Sequence, residues 1–199
     1  MTARLAVTAA VEGPTDEAVA RRILDVLGLD LLYVYGLKGK NHLDQRLRHY
    51  NAAAEFAPWL VLRDLDRDAE CAPELRHVLL PTPSPRMRFR LAVRSVESWL
   101  LGDRSTLSRY LQVPIGHIPD NPDALPDPKS TLVTLARRSR NRAIRRDLVP
   151  THPSVRVGQG YSSRVIEYVF RFWRPLEAAR HSDSLKRCIE RLRALPRQG

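Results

Sequence analysis

Short apolar runs alternate with helical patterns along the first half of the chain. Residues 4–11 form an apolar run of strand length, and residues 15–27 repeat apolar side chains at helical spacing before Gly28. The same alternation continues with strands predicted at 31–35, 59–62 and 88–93, a helix at 41–56, and a short helix in SVESWLLGD. Strands that alternate with helices indicate a mostly parallel sheet flanked by helices, so the pattern predicts an α/β fold.

A proline-rich segment divides the chain. Five prolines lie between Pro114 and Pro128, which predicts an irregular connection. Three helical patterns follow it, namely STLVTLARRSRNRAIRRDLV, GYSSRVIEYVFRFWRPL and SLKRCIERLRAL. We therefore predict an α/β core over 1–113, a connection over 114–129, and a basic helical C-terminal region over 130–199 that packs on the core.

The charge balance favours a polyanionic partner. The chain of 199 residues carries 33 Lys and Arg against 22 Asp and Glu, a formal net charge of +11. Such an excess is typical of proteins that bind DNA or RNA, although a basic surface without such a partner gives the same balance.

The two cysteines and the lengths of the apolar runs indicate the cellular compartment in which we expect the protein. Cys71 and Cys188 lie far apart and have no metal-ligand spacing, which indicates free thiols in a reducing compartment. The apolar run at 4–11 is too short to span a bilayer and lacks a signal-peptide cleavage pattern. We expect a cytoplasmic protein that does not contact membranes.

Acidic residues follow two of the predicted strands. Glu12 ends the first strand and Asp16 comes four residues later, while WLVLRDLDRD places Asp64 and Asp66, with Asp68 nearby, after the third strand. Ligands gather at the carboxyl ends of parallel strands, and carboxylate oxygens suit Mg²⁺ or Mn²⁺. Glu12 and Asp16 could instead be acids that favour a helix N-terminus, and Asp68 could be a helix cap.

Two further residues are candidates for chemistry. Glu97 follows the fourth predicted strand and could position a metal ion or a water, or be an exposed residue of a helical first turn. Lys129 follows Pro128 in an acidic loop and could neutralise charge that develops on a phosphodiester. A solvated loop lysine is the alternative.

The C-terminal region contains an arginine cluster, ARRSRNRAIRR. No single helix face can collect all of these side chains, so part of the cluster must point into solvent. Arginine suits bidentate phosphate contacts, although docking to a partner protein or packing against core acids is an alternative. The candidate nucleic-acid contacts are Arg137, Arg138, Arg142, Arg145 and Arg146. The aromatic residues of this region are predicted to lie in its core, with a base-stacking platform as the alternative; they are Tyr161, Tyr168, Phe170, Phe172 and Trp173.

The pair VEGPTD and LRDLDRD resembles the TOPRIM domain, the metal-dependent module of topoisomerases, bacterial primases and several nucleases. In that domain a Glu follows the first strand and a DxD follows a later one. VEGPTD matches the EGxTD form of the nuclease branch, and Asp64 lies 52 residues after Glu12. With DPKS and GQGYSSRVIEYVF, the pattern is similar to small TOPRIM-related proteins of the overcoming-lysogenisation-defect (OLD) nuclease-like branch, often encoded beside ATPases in suspected anti-phage systems.

The resemblance implies a Mg²⁺- or Mn²⁺-dependent nuclease that hydrolyses phosphodiester bonds of DNA or RNA. The implied metal ligands are Glu12, Asp16, Asp64, Asp66 and Asp68. Glu12, Glu97 and Lys129 are the candidate catalytic residues, with Glu12 as an alternative general acid or base and Lys129 matching a lysine of the OLD-type nucleases. A partner ATPase is also implied. The competing hypothesis is a catalytically silent nucleic-acid-binding or sensor module that docks on an ATPase.

Overall fold

The computed structural model describes residues 4–196, which contain a four-stranded sheet. The order is β2-β1-β3-β4, and each neighbouring pair is parallel. The strands are β1 (Leu5–Val11), β2 (Leu29–Gly36), β3 (Trp59–Asp64) and β4 (Met87–Ala92). The predicted α/β fold with a parallel sheet is confirmed, because helices connect the strands and cover the sheet.

Ten helices surround this sheet within the described residues. They are α1 (Pro14–Val26), α2 (Lys40–Ala53), α3 (Ala72–Leu79), α4 (Val96–Gly102), α5 (Arg104–Leu111), α6 (Pro128–Arg137), α7 (Arg142–Leu148), α8 (Tyr161–Arg171), α9 (Pro175–Ala178) and α10 (Asp183–Arg193). None of the helices between residues 4 and 196 is long and apolar enough to cross a membrane.

Both faces of the central strands are buried. Along β3, Leu60 and Leu62 pack in the hydrophobic cluster that contains α1, whereas Val61 packs in a second cluster with Leu43 and Leu47 of α2. Successive side chains of a strand point to opposite faces, so a continuous apolar run is the pattern of a strand covered on both sides.

The C-terminal helices share the larger of the two cores. Val165 of α8 lies in the same cluster as residues of α1 and β1, and the Trp173 indole N–H donates to the Trp99 carbonyl at 3.3 Å. Arg174 forms an ion pair of 2.7 Å with the buried carboxylate of Asp103. These contacts hold the C-terminal region against one face of the sheet. The prediction of core aromatic residues is confirmed for Tyr161, Tyr168 and Trp173, whereas it was wrong for Phe170 and Phe172, which are exposed.

The helical pattern after the proline-rich connection is divided differently from the sequence prediction. The first predicted helix is two helices, α6 and α7, because the Asn141 carboxamide caps α7 by accepting from the Ala143 N–H at 3.0 Å. Helix α6 begins at Pro128 because Asp127 accepts from the Ser130 N–H at 2.9 Å. The placement of Lys129 in a loop was therefore wrong, since it lies in the first turn of α6.

Two short 3₁₀ turns lie inside the proline-rich connection. They span Ile115–His117 and Pro122–Ala124, and the second of them contacts the chain near α10 through Asp123. Helix α3 was not predicted. Its eight residues follow Cys71 and contact β4, so this helix covers the sheet beside the edge strand.

Candidate functional site

The ends of β1 and β3 meet at the carboxyl edge of the sheet. Glu12, the residue after β1, accepts a hydrogen bond through Oε1 from the backbone N–H of Asp64 at 2.8 Å. Because β1 and β3 are parallel neighbours, the VEGPTD and LRDLDRD motifs reach the same point. The structure therefore brings the first acid of each motif together.

A third chain segment joins them from β4. The Asp64 carboxylate accepts through Oδ1 from the Val96 N–H at 2.9 Å, at the start of α4. The next residue is Glu97, whose side chain is only 1% exposed. Three strand ends thus contribute to one acidic cluster, which we call the carboxylate cluster and define as Glu12, Asp16, Asp64 and Glu97.

Asp16 enters the cluster from the first turn of α1. Its Oδ2 accepts from the Gly13 N–H at 2.8 Å, which closes the helix N-terminus, and the residue is 8% exposed. The helix-capping role anticipated for this acid is therefore present. It does not separate Asp16 from the cluster, because its charge interacts with those of Glu12 and Glu97.

Burial and mutual repulsion weaken the ionisation of these acids. Burial raises the pKa of Glu12, and burial together with the charges of Glu12 and Glu97 raises the pKa of Asp16 to about 7. Burial and the charges of Asp16, Glu97 and Glu12 hold the pKa of Asp64 well above its usual value. At neutral pH the carboxylate cluster therefore gains stability from a proton or a cation.

Glu97 has two defined partners and one oxygen without any. Its Oε1 accepts from the Tyr161 hydroxyl at 3.0 Å and lies 3.3 Å from the Lys129 ammonium. Its buried Oε2 has no hydrogen-bond partner within residues 4–196. A buried polar atom is normally satisfied, so this oxygen marks the place where a water or an ion is needed.

Lys129 supplies positive charge beside the carboxylate cluster. Burial lowers its pKa, but the carboxylates of Glu97 and Asp64 more than offset this and the pKa is raised overall. The ammonium also lies 6.0 Å from the centre of the Tyr161 ring. Tyr161 was predicted only as core, and its site role was missed; the usable signal was that a buried tyrosine hydroxyl needs a partner.

Asp66 and Asp68 form ion pairs with basic side chains, whereas the Asp64 carboxylate accepts a backbone N–H. Lys40, at the start of α2, forms ion pairs of 2.9 Å with both carboxylates, and Asp68 also pairs with Arg63 at 2.7 Å. Asp66 has a positive φ of 49°, which turns the chain away from the strand. Lys40 was not identified from the sequence, and it already neutralises part of the negative charge of this loop.

The candidate arginines lie on α6, α7 and the segment between them. Arg137, Arg138, Arg142 and Arg146 are exposed, whereas Arg145 is half-buried and donates to the Ser139 carbonyl. Arg146 pairs with Asp147 at 2.8 Å. In the described part of the chain the other three exposed arginines have no acidic partner within ion-pair distance, so their charges are available to an external anion.

The carboxylates of the site suit a hydrated hard cation that uses few protein ligands, and they do not form a complete set of metal ligands. Within residues 4–196, no group of three or more His, Cys, Asp or Glu side chains is arranged to hold an ion by itself. Mg²⁺ commonly uses one or two carboxylates and keeps several waters, so it does not require such a cage. The unpartnered Glu97 oxygen and the raised pKa of Asp64 fit an ion of this kind.

Comparison with family models, with curated proteins and with solved structures finds no match to this chain.

Proposed function

We propose that the protein is a Mg²⁺- or Mn²⁺-dependent nuclease that hydrolyses phosphodiester bonds of DNA or RNA. The observation that carries the proposal is the carboxylate cluster, in which acids at the ends of three strands and in the first turn of α1 come together, and in which a buried oxygen of Glu97 has no partner in the described residues. Lys129 adds a positive charge at the same place. This combination suits a substrate whose charge is carried by phosphate.

Each side chain has a role that follows from its contacts. A divalent cation held by one or two of the carboxylates of Glu12, Asp16 and Asp64, with water at its other positions, would lower the pKa of a bound water and stabilise charge on the phosphate. Glu12 uses one oxygen to accept from the Asp64 N–H, which leaves the other oxygen for a proton or an ion. Lys129 would neutralise charge on a phosphate oxygen, and Glu97 with Tyr161 would hold Lys129 in position.

The resemblance to TOPRIM-related proteins extends the proposal to a partner. Proteins of that kind are often encoded beside ATPases in suspected anti-phage systems, so we include an ATPase partner and a defence role in the proposal. These two elements depend on the motif resemblance and not on the geometry of the site.

A second candidate function has one observation in its favour. Lys40 pairs with both Asp66 and Asp68, so part of the negative charge of two acids expected as ligands is already compensated. That arrangement fits a nucleic-acid-binding or sensor module that has no catalytic activity. The two functions differ in whether phosphodiester bonds are cut.

The test uses labelled single-stranded and duplex DNA and RNA with Mg²⁺, Mn²⁺ or EDTA. We expect cleavage by the wild type with metal, and a loss of at least about 100-fold in Asp64→Asn. Asp25→Asn changes an exposed acid on α1 and is the matched control. Cleavage in EDTA, or undiminished cleavage by Asp64→Asn, would contradict the proposal. Binding without cleavage under every condition, with the ATPase present, would support the silent module.

A further inference from the structure

The open edge of the sheet at β4 forms one side of a large groove. Helix α3, the turn at Pro122–Ala124 and helix α10 form the rest, and the cavity volume is about 1340 Å³. Small-molecule sites have volumes of about 300 to 1,000 Å³, so this groove is large enough for an extended ligand. It reaches Leu65 and Val93, the residues that follow β3 and β4 at the carboxyl edge of the sheet, whereas none of the four acids of the carboxylate cluster lines it.

Strand β4 carries arginines where a covered sheet normally carries apolar side chains. Met87, Phe89 and Leu91 are buried in the core beneath α3, whereas Arg88 and Arg90 alternate with them and point to the side where α10 packs. Arg88 has a structural role, because it donates to the carbonyls of Arg191 and Ala194 at the end of α10. Arg90 has no comparable role.

Arg90 is a half-buried cation without an acidic partner. Its Nε is buried and has no hydrogen-bond partner, and no carboxylate of residues 4–196 forms an ion pair with it. Burial lowers its pKa, and the charges of Arg191 and Arg76 lower it further, while the neighbouring Cys188 thiol raises it. Taking a cation partly out of water without an acidic partner costs free energy, so an external anion at Arg90 would offset that cost.

Other cations of the groove are also free. Arg76 of α3 and Lys186 and Arg191 of α10 line it, and in the described part of the chain none of the three forms an ion pair. Two of the acids along the groove are already engaged. The Asp123 carboxylate accepts from Ser182 and Ser184, and Asp183 pairs with Arg187. Glu70 and Glu190 remain as exposed acids at the groove, so the unpaired charge there is mainly positive.

We propose that this groove binds the phosphodiester backbone of a single nucleic-acid strand and holds that strand at the carboxyl edge of the sheet. The inference rests on the proposed function, to which it adds a binding surface for the substrate. Guanidinium groups match phosphate oxygens in bidentate pairs, and a basic groove is the usual site for single strands. It differs from the sequence expectation, which assigned phosphate contacts to Arg137–Arg146.

The test measures binding of fluorescein-labelled oligo(dT) and oligo(rU) by anisotropy in EDTA, so that cleavage does not enter. The double variant Arg76→Ala/Arg191→Ala changes exposed residues and should keep the fold. We expect its Kd to rise at least about tenfold and its salt slope to fall by about 1.4, since a single strand contributes about 0.7 per phosphate contact. Arg171→Ala/Arg180→Ala removes the same charge elsewhere and should change Kd less than about twofold.

A second variant examines Arg90, the half-buried cation of the groove. Arg90→Gln should weaken binding at least about tenfold and leave the melting temperature unchanged or higher, because it removes an uncompensated charge. A large loss of melting temperature with unchanged binding would show a purely structural arginine and would overturn the inference.

Two further binding experiments test whether the ligand is a nucleic-acid strand or free phosphate, and which surface of the protein binds it. Competition by excess unlabelled oligonucleotide, but not by the same phosphate concentration as inorganic phosphate, is expected for a strand; equal competition would overturn the inference. Loss of binding in Arg137→Ala/Arg142→Ala together with full binding in the groove variant would also overturn it. Weak binding by the groove variants, together with no cleavage by the wild type, would support strand binding in the groove and contradict the nuclease proposal. Cleavage by the wild type, together with normal binding by the groove variants, would support the nuclease proposal and contradict strand binding in the groove.

Discussion

Glu12 Oε1 accepts the backbone N–H of Asp64 at 2.8 Å, a contact between residues 52 positions apart in the sequence. It connects the carboxyl ends of β1 and β3 and fixes one oxygen of the acid. The same side chain therefore has a structural oxygen and an oxygen that remains for chemistry.

The first prediction separates these two roles of Glu12. Glu12→Gln keeps an acceptor for the Asp64 N–H and should change the free energy of unfolding by less than about 0.5 kcal/mol. Glu12→Ala leaves that N–H without its partner and should cost about 1 to 3 kcal/mol. Urea unfolding in EDTA measures both values. Equal losses in the two variants would show that the hydrogen bond does not matter.

The second prediction concerns pH. The pKa of Asp16 is raised from 3.8 to about 7, so between these values the folded state binds more protons than the unfolded state. Stability without divalent metal should therefore fall as pH rises from about 4 to 7. Asp16→Asn should reduce this fall and stabilise the protein at pH 8 by about 1 to 3 kcal/mol. Asp25→Asn, on the same helix but exposed, should leave the profile unchanged; a similar effect of both variants would contradict the account.

The third prediction concerns Lys129. Lys129→Met removes the ammonium 3.3 Å from Glu97 and keeps most of the side-chain volume. We expect cleavage to fall at least about 100-fold, while strand binding in EDTA changes less than about threefold. Lys186→Met removes a cation of the groove, so we expect it to weaken strand binding more than it slows the cleavage of bound strand. Single-turnover cleavage and anisotropy give the two quantities, and a matching decrease in both for Lys129→Met would assign it to binding alone.

The fourth prediction concerns the end of β2, which supports the position of Glu12. Gly36 has a φ of +91°, and a Cβ added there would lie 2.2 Å from the Val11 carbonyl oxygen. Gly36→Ala should therefore destabilise the protein by about 2 kcal/mol or more. Gly116→Ala is the control, because nothing lies within 4 Å of the added Cβ. Urea unfolding would contradict the account if both variants were equally stable.

The sequence predicted the sheet because its strands are short apolar runs separated by helical periodicity. Glu12 and Asp64 could be brought together in advance, since parallel strands end at the same edge. The contact between Tyr161 and Glu97 could not be predicted, because it depends on how the C-terminal helices pack across 64 residues of sequence. The ion pairs of Lys40 were missed for the same reason. Local spacing carries no information about which distant side chain meets an acid.

The arginines of β4 illustrate a second limit of prediction from the sequence. The run RFRLAV is typical of a strand whichever face Arg90 occupies, and only the packing of α10 beside β4 shows that the Arg90 Nε is buried. The arginines of α6 and α7 were predicted to contact phosphate because they are close together in the sequence. The groove cations come from three separate elements, and no sequence pattern groups them.

The most direct measurement of the central claim is calorimetric titration of the wild type, Asp64→Asn and Asp25→Asn with Mn²⁺ at pH 7.5. We predict saturable binding by the wild type and by Asp25→Asn, and at least about tenfold weaker binding by Asp64→Asn, because its carboxylate is at the centre of the carboxylate cluster. Equal Mn²⁺ affinity in wild type and Asp64→Asn, or no binding by the wild type, would contradict a metal-dependent site at this edge of the sheet.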